Sequence, residues 1–107
     1  MSLIDKKYGL FINGEWVDAE GGKTFETFNP ATGEKLADCA DASAADIERA
    51  VAAARAAFPA WSKTSVQERS NMLLKIADLV EANLERLAKI ETMDNGKPIR
   101  ETLNVDL

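Results

Sequence analysis

The sequence predicts an α/β fold in which β-hairpins come first and helices follow. Up to about residue 40, short runs of aromatic and β-branched residues are separated by turn dipeptides, a spacing typical of strands. After residue 43, apolar residues recur at intervals of three and four, the periodicity of an amphipathic helix. The chain therefore divides into strands at about 8–40 and helices at about 44–105.

The first hairpin is predicted around Asn13-Gly14, which lies between the runs "YGLFI" and "EWV". Both turn residues tolerate the positive φ of a type I′ turn, and this dipeptide between apolar runs is a strong hairpin signal. We predict strands near 8–12 and 15–18.

A second turn is predicted at "NPATG", where Pro30 fixes φ and Gly33 accepts a left-handed conformation. Thr24 to Phe28 and Glu34 to Cys39 should then be extended. Phe25 and Phe28 point to opposite faces of their strand, which indicates a layer covered on both sides.

Two helices are predicted to begin at capping boxes. Ser43 is followed three residues later by Asp46, and Ser65 by Glu68, so each serine can cap a helix N-terminus. The apolar stripes that follow are Ile47, Val51, Ala54 and Phe58 in the first helix, and Leu73, Ile76, Val80, Leu84, Leu87 and Ile90 in the second.

The ends of these helices are predicted from breaker residues. Pro59 should end the first helix, because proline lacks the N–H that continues the hydrogen-bond ladder. Asn83 interrupts the second stripe and could end one helix while capping another.

The stretch "ETMDNGKPIRET", residues 91–102, has two interpretations. Lys97 could hold an anion at the N-terminus of a helix that Pro98 begins. Alternatively, Gly96 ends one helix and Pro98 opens the next. A phosphate-binding loop needs a glycine five residues before the Gly-Lys pair and a hydroxyl after it, whereas Glu91 and Pro98 stand there. The sequence favours the helix joint.

Composition excludes several classes of protein. The net charge of −5 and the scattered basic residues argue against nucleic-acid binding. The 46% apolar and 29% charged residues are typical of a folded domain, and no apolar run approaches the length of a membrane span. A single cysteine and the absence of a signal-peptide pattern favour a reducing cytoplasm.

No catalytic constellation is predicted within the 107 residues. Cys39 lies near Asp38 and Asp41, whose charges disfavour a thiolate, and histidine is absent, so we interpret this cysteine as a small buried side chain. No His/Cys cluster has the spacing of a zinc site. Trp16 and Trp61 are interpreted as packing residues.

Four motifs in order carry a resemblance to a known family: "LFINGEWV", "TFNPATGEKLA", "AVAAARAAFPAWSKTSVQERSNMLLKIADLVE" and "ETMDNGKPIRE". Together they closely resemble the N-terminal part of the NAD(P)-dependent aldehyde dehydrogenase superfamily. The resemblance implies that residues 1–107 are the N-terminal part of the dinucleotide-binding domain of a larger, homo-oligomeric enzyme. The catalytic and oligomerisation domains then lie outside this chain.

The chemistry implied by the resemblance is oxidation of an aldehyde to a carboxylic acid with NAD or NADP through a cysteine thioester. The family's nucleophile, general base and nucleotide-contacting motifs match no residue here, so we expect the segment alone to be inactive. The wording "DNGKPIRET" resembles enzymes that act on small aliphatic aldehydes.

The resemblance also implies one minor site. Some relatives hold a structural monovalent cation, and the matching positions here are the backbone carbonyls of Thr27 and Phe28 and the carboxylate of Asp106. Hard cations take such oxygen ligands. In the opposing interpretation, Asp106 is a solvated or capping acid.

An alternative function is a self-contained interaction module without enzymatic activity. Its apolar helical stripes would then close on themselves or on a partner protein. Under the enzyme interpretation, the partner is the remainder of the same polypeptide, and we expect the isolated segment to expose apolar surface and to self-associate.

Overall fold

The computed structural model describes residues 3–107, and the α/β prediction is confirmed. The described residues form strands first and helices second, with a 3₁₀ turn at Glu20–Gly22 and a π-helical turn at Thr102–Asp106. The strands are β1 (Lys7–Tyr8), β2 (Leu10–Ile12), β3 (Glu15–Val17), β4 (Thr24–Phe28) and β5 (Lys35–Ala40). The α-helices are α1 (Ala44–Trp61), α2 (Val66–Ala82), α3 (Leu84–Asn95) and α4 (Ile99–Glu101).

Contacts divide the described chain into two compact units. The α1 unit comprises Asp5–Thr27 and Ala37–Thr64. The α2–α3 unit comprises Phe28–Leu36, Ser65–Leu107 and residues 3 and 4.

The hairpin predicted at Asn13-Gly14 is confirmed. β2 and β3 pair antiparallel, with Leu10 opposite Val17 and Phe11 opposite Trp16. Asn13 has φ of 54° and Gly14 has φ of 79°, the left-handed values that a type I′ turn needs. The rings of Phe11 and Trp16 lie 5.0 Å apart, so one face of the hairpin is aromatic.

The prediction of one strand at 8–12 is wrong, because Gly9 separates two strands that pair with different partners. β1 pairs in parallel with β5, with Tyr8 opposite Cys39, whereas β2 belongs to the hairpin. A Cβ on Gly9 would lie 2.7 Å from the carbonyl oxygen of Val17. The backbones approach too closely there for any side chain, and this glycine separates the two strands.

The predicted strands on either side of "NPATG" are confirmed, although β5 begins one residue later than predicted. Together with β1 they form a three-stranded sheet in the order β1-β5-β4. Within the turn, the Asn29 amide donates to the Glu34 carbonyl at 2.9 Å and the Gly33 amide donates to the Asn29 carbonyl at 2.8 Å. Gly33 has φ of 76°, so the turn depends on glycine at this position.

The two predicted capping boxes are confirmed, but the predicted helix end at Pro59 is wrong. α1 continues through Pro59 to Trp61. Proline removes only one N–H donor, and the next amides recover the ladder: Ser62 N donates to Phe58 O at 2.8 Å. The Ser62 hydroxyl also donates to the Pro59 carbonyl at 3.0 Å.

Asn83 separates α2 from α3 as predicted, but it does not cap α3. Its side-chain amide instead donates backwards to the Leu79 carbonyl at 2.8 Å. The side chain therefore satisfies a carbonyl at the end of α2, and no side chain caps the first turn of α3.

The packed interior of the described chain is small. Its buried apolar residues are all alanines: Ala19, Ala37 and Ala88. The expected exposure of apolar surface is confirmed by Phe11, Trp16, Phe25, Phe28, Ile47, Val51, Phe58, Trp61, Val66, Met72, Leu73, Leu74, Ile76, Leu79, Ile99, Val105 and Leu107. The described residues thus leave Phe25 and Phe28 about half exposed in β4, and the two tryptophans are 69% (Trp16) and 47% (Trp61) exposed. None of the helices in residues 3–107 combines the length and apolar character needed to span a bilayer.

A buried carboxylate, Asp46, joins the 3₁₀ turn to the first turn of α1. It is fully buried and accepts from the Glu20 amide at 2.9 Å and from the Ser43 amide at 2.8 Å. The Ser43 hydroxyl and the Arg49 guanidinium also bind it. The Ser43 backbone hydrogen bond holds the pKa of Asp46 below its ordinary value, although burial alone would raise it; the Glu20 amide and Arg49 lower it further.

We expect Asp46→Asn to weaken the junction between the 3₁₀ turn and α1. A carboxylate whose pKa is lowered by folding stabilises the folded state at pH values above its unfolded pKa of about 3.9. That stability is lost as the pH falls through the lower pKa of the folded state. Hydrogen exchange at the Glu20 and Ser43 amides should therefore show protection that falls on acidification in the parent protein. The Asn variant should show lower protection near neutral pH and a flatter acid response.

Asp41→Asn is the matched control, because Asp41 lies just before the helix but is exposed. It should leave the protection of both amides unchanged. Equal protection in the Asp46→Asn variant and the parent would contradict this role.

Candidate functional site

The turn after α3 is the helix joint that the sequence favours. Gly96 has φ of 81° and its amide donates to the Thr92 carbonyl at 2.9 Å, which closes the helix in a left-handed conformation. The Asn95 side chain accepts from the Lys97 amide at 2.8 Å. Pro98, with φ of −59°, then precedes α4. Each residue of this turn therefore has a structural role.

The Lys97 side chain binds a carboxylate of its own chain. Its ammonium lies 2.9 and 2.8 Å from the two oxygens of Asp106, the last residue of the π-helical turn. A lysine committed to an internal carboxylate is not arranged as a phosphate ligand. The phosphate-loop interpretation therefore has no support in the geometry.

The two side chains of this ion pair differ in their exposure to solvent, and the lysine remains charged. The Asp106 side chain is 19% exposed and that of Lys97 is 50% exposed. Hydrogen bonding to Asp106 raises the pKa of Lys97 above its ordinary value against a smaller effect of burial, and the charges of Asp106, Glu91 and Glu101 act in the same direction. Lys97 therefore stays charged at neutral pH.

The π-helical turn that carries Asp106 is anchored by a buried threonine. Thr102 is fully buried, and its hydroxyl lies 2.9 Å from that of Thr92 and 3.1 Å from the Ile99 carbonyl. The Asn104 side chain donates to the Arg100 carbonyl at 2.8 Å. The bond to Thr92 holds the segment against α3 independently of the Lys97 side chain, and the other two bonds are local to the segment.

Gly96 also lies against the "NPATG" turn. A Cβ on Gly96 would lie 3.0 Å from Cγ of Pro30, a residue of the same unit. The turn after α3 and the proline of the turn after β4 are therefore in close contact. This contact needs glycine for its conformation and for its size.

The residues predicted to hold a cation have the following places. Thr27 and Phe28 are the last two residues of β4, and Asp106 ends the π-helical turn. Phe28 and Asp106 belong to the α2–α3 unit, and Thr27 belongs to the α1 unit. The donor set suits a monovalent cation in its chemistry, and the Lys97 ammonium already places one positive charge on Asp106.

The other candidate residues form no catalytic arrangement in the described chain. Cys39 is half-buried in β5, and Asp38 lies opposite Lys7. Among residues 3–107, no group of three or more histidine, cysteine or acidic side chains is arranged to hold a metal ion.

The contacts that were not predicted from sequence include the Lys97–Asp106 pair and the bond from Glu20 to Asp46. Lys97 and Asp106 are nine residues apart across two turns, and Glu20 and Asp46 are 26 residues apart. The capping box revealed Asp46, but no local pattern indicated its distant donor.

The comparisons with known proteins agree on one family. Residues 16–107 match the model described as "Aldehyde dehydrogenase family". The chain is 53% identical over 102 residues to an aldehyde dehydrogenase of Deinococcus radiodurans, covering 95% of this chain and 20% of that protein. It is 52% identical over 101 residues to an acetaldehyde dehydrogenase of Pseudomonas aeruginosa, with coverage of 94% and 20%.

A solved structure extends the similarity to the fold. The NAD⁺ complex of the aldehyde dehydrogenase from Bacillus cereus superposes with a TM-score of 0.88 at 48% identity, covering 94% of this chain and 21% of that one. The strands and helices thus match the N-terminal part of such structures. The chain spans about a fifth of the length of the curated relatives it matches, since coverage of each is 20%.

We expect Gly96→Ala to destabilise the turn after α3 more than Gly33→Ala destabilises the "NPATG" turn. Both glycines have positive φ, so either substitution costs about 1–3 kcal/mol in backbone strain. Only the alanine at 96 also meets a neighbour, whereas nothing lies within 4 Å of a Cβ at 33. Exchange free energies of the residue 96 and residue 33 amides measure the two losses, since each amide is hydrogen-bonded.

Adding Pro30→Ala to Gly96→Ala should recover the excess loss by removing the clash. Equal losses at the two positions, or no recovery in the double variant, would show that the contact with Pro30 carries no energy.

Proposed function

The chain belongs to the aldehyde dehydrogenase family, and from that membership we propose that it is the N-terminal segment of an enzyme that oxidises an aldehyde to a carboxylic acid. The observation that carries the proposal is the 53% identity to an aldehyde dehydrogenase over 95% of this chain. The reaction consumes an aldehyde, water and NAD⁺ or NADP⁺, and it yields a carboxylic acid, the reduced nucleotide and a proton. A cysteine outside this chain forms the thioester, and water hydrolyses it.

The role of residues 1–107 is structural within that enzyme. We place the segment in the cofactor-binding domain, where the remainder of the polypeptide covers the apolar faces of α1 and α2. Exposed large side chains such as Phe58, Leu73 and Ile76 support this arrangement, because a lone domain buries such groups. The self-association expected of the isolated segment has the same cause.

The proposed substrate is a small aliphatic aldehyde. The 52% identity to an acetaldehyde dehydrogenase supports this class, as does the "DNGKPIRET" wording. NAD is a supported cofactor because a relative of similar fold was solved with NAD⁺, and NADP remains the alternative to be assayed beside it. We further propose a homo-oligomer in the reducing cytoplasm, in keeping with the single, unpaired cysteine.

The monovalent cation site remains part of the proposal. The carbonyl oxygens of Thr27 and Phe28 and the carboxylate of Asp106 would hold the ion. The support is chemical, because carbonyl and carboxylate oxygens suit a hard cation. The ion would be structural and take no part in the reaction.

We expect the full-length polypeptide to reduce NAD or NADP in the presence of a small aliphatic aldehyde such as acetaldehyde, and the 107-residue segment alone to be inactive. The readout is nucleotide absorbance with each cofactor, and light scattering of the same sample gives the oligomeric state. A folded full-length protein that reduces neither nucleotide with any aldehyde of this class would overturn the proposal and favour an interaction module.

Cys39→Ser should leave kcat and KM within about twofold of the parent, because Cys39 is a half-buried strand residue near Asp38 and Asp41, whose charges disfavour a thiolate. A loss of several orders of magnitude would assign the thioester to Cys39. Circular dichroism of the variant checks that the strand is intact.

A further inference from the structure

We propose that the Lys97 ammonium and a free monovalent cation compete for the Asp106 carboxylate, so that the ion binds only as Lys97 leaves. The Lys97 ammonium then supplies the positive charge beside the Asp106 carboxylate when no ion is bound. The inference rests on the cation site proposed above and adds a residue that the site's ligand set does not contain.

The geometry places one positive charge on both carboxylate oxygens. The Lys97 nitrogen lies 2.9 Å from Oδ1 and 2.8 Å from Oδ2 of Asp106. A small cation that approached this carboxylate would meet the ammonium at the same place. The ammonium and a cation on the same two oxygens would repel each other, which weakens the binding of each.

The unequal exposure of the two side chains makes exchange feasible. The Lys97 side chain is 50% exposed and has a flexible four-carbon stem, so its ammonium can rehydrate when it moves away. Ion pairs of exposed lysines contribute little stability, and the cost of separation is correspondingly low. The Asp106 side chain is 19% exposed with the ammonium in place, so an ion that replaces the ammonium meets a carboxylate that is partly shielded from water.

The carboxylate stays in place during this exchange because its turn is held elsewhere. Thr102 is buried and bonded to Thr92, and the Lys97 backbone is held by Asn95. Neither anchor involves the Lys97 side chain. The nearby Arg100 guanidinium is paired with Glu101 at 3.2 Å. Only the Lys97 stem has to move.

The first experiment measures cation-dependent stability in the full-length protein. Thermal midpoints are recorded against KCl, with choline chloride added to keep the ionic strength constant. Lys97→Met removes the competing charge and should lower the potassium concentration for half-maximal stabilisation by at least about fivefold, in the range of typical coupling effects. Lys97→Arg retains the charge and should stay near the parent. Asp106→Asn should abolish the potassium response in every background.

The second experiment follows Lys97 itself by amine labelling and mass spectrometry. Saturating KCl should raise the labelling rate of Lys97, whereas choline chloride at equal ionic strength should not. Lys7 is the matched control, since it pairs with Asp18 at 3.1 Å and is 54% exposed. Its labelling should respond to ionic strength alone.

The outcomes separate the inference from the proposals beneath it. A parent protein that is stabilised specifically by potassium, with the same concentration dependence in Lys97→Met, overturns the competition and leaves the cation site standing. Equal labelling of Lys97 in KCl and choline chloride overturns it as well. If neither the parent nor Lys97→Met responds to potassium, the cation site and the competition both fall. Aldehyde-dependent nucleotide reduction, assayed separately, decides the enzymatic function.

Discussion

The polar groups at the ends of the elements do most to fix the described structure, because little apolar surface is buried between those elements. Its buried apolar residues are alanines, which contribute small areas. Asp46 joins the 3₁₀ turn to α1 through the amides of Glu20 and Ser43. Thr102 does the same for the π-helical turn and α3. The large apolar side chains remain exposed among the described residues.

The features that could be predicted from sequence are those decided within a few residues. The Asn13-Gly14 turn, the "NPATG" turn, the two capping boxes and the Gly96 helix end all follow from backbone conformations that only certain residues adopt. The misses depend on residues distant in sequence. Gly9 divides a predicted strand because of the approach of Val17, and the Lys97 side chain finds Asp106 across two turns. The prediction that α1 ends at Pro59 failed for another reason: a proline near a helix end removes only one backbone hydrogen bond.

The candidate cation site could be predicted only from the resemblance to a family, and not from local sequence patterns. No pattern of spacing in this chain indicated a cation, and Thr27, Phe28 and Asp106 came from resemblance alone. The structure adds what resemblance did not supply, namely that Lys97 occupies both oxygens of the predicted carboxylate ligand. The proposed function likewise derives from family membership.

The parallel pairing of β1 with β5 has a consequence for how the chain acquires its structure during synthesis. The β2–β3 hairpin closes over two residues and can form as soon as Val17 leaves the ribosome. β1 precedes that hairpin, yet it has no parallel partner until Asp38 and Cys39 emerge. β1, the first strand of the described residues, is therefore paired later than the hairpin that follows it, and its edge stays unpaired during that interval.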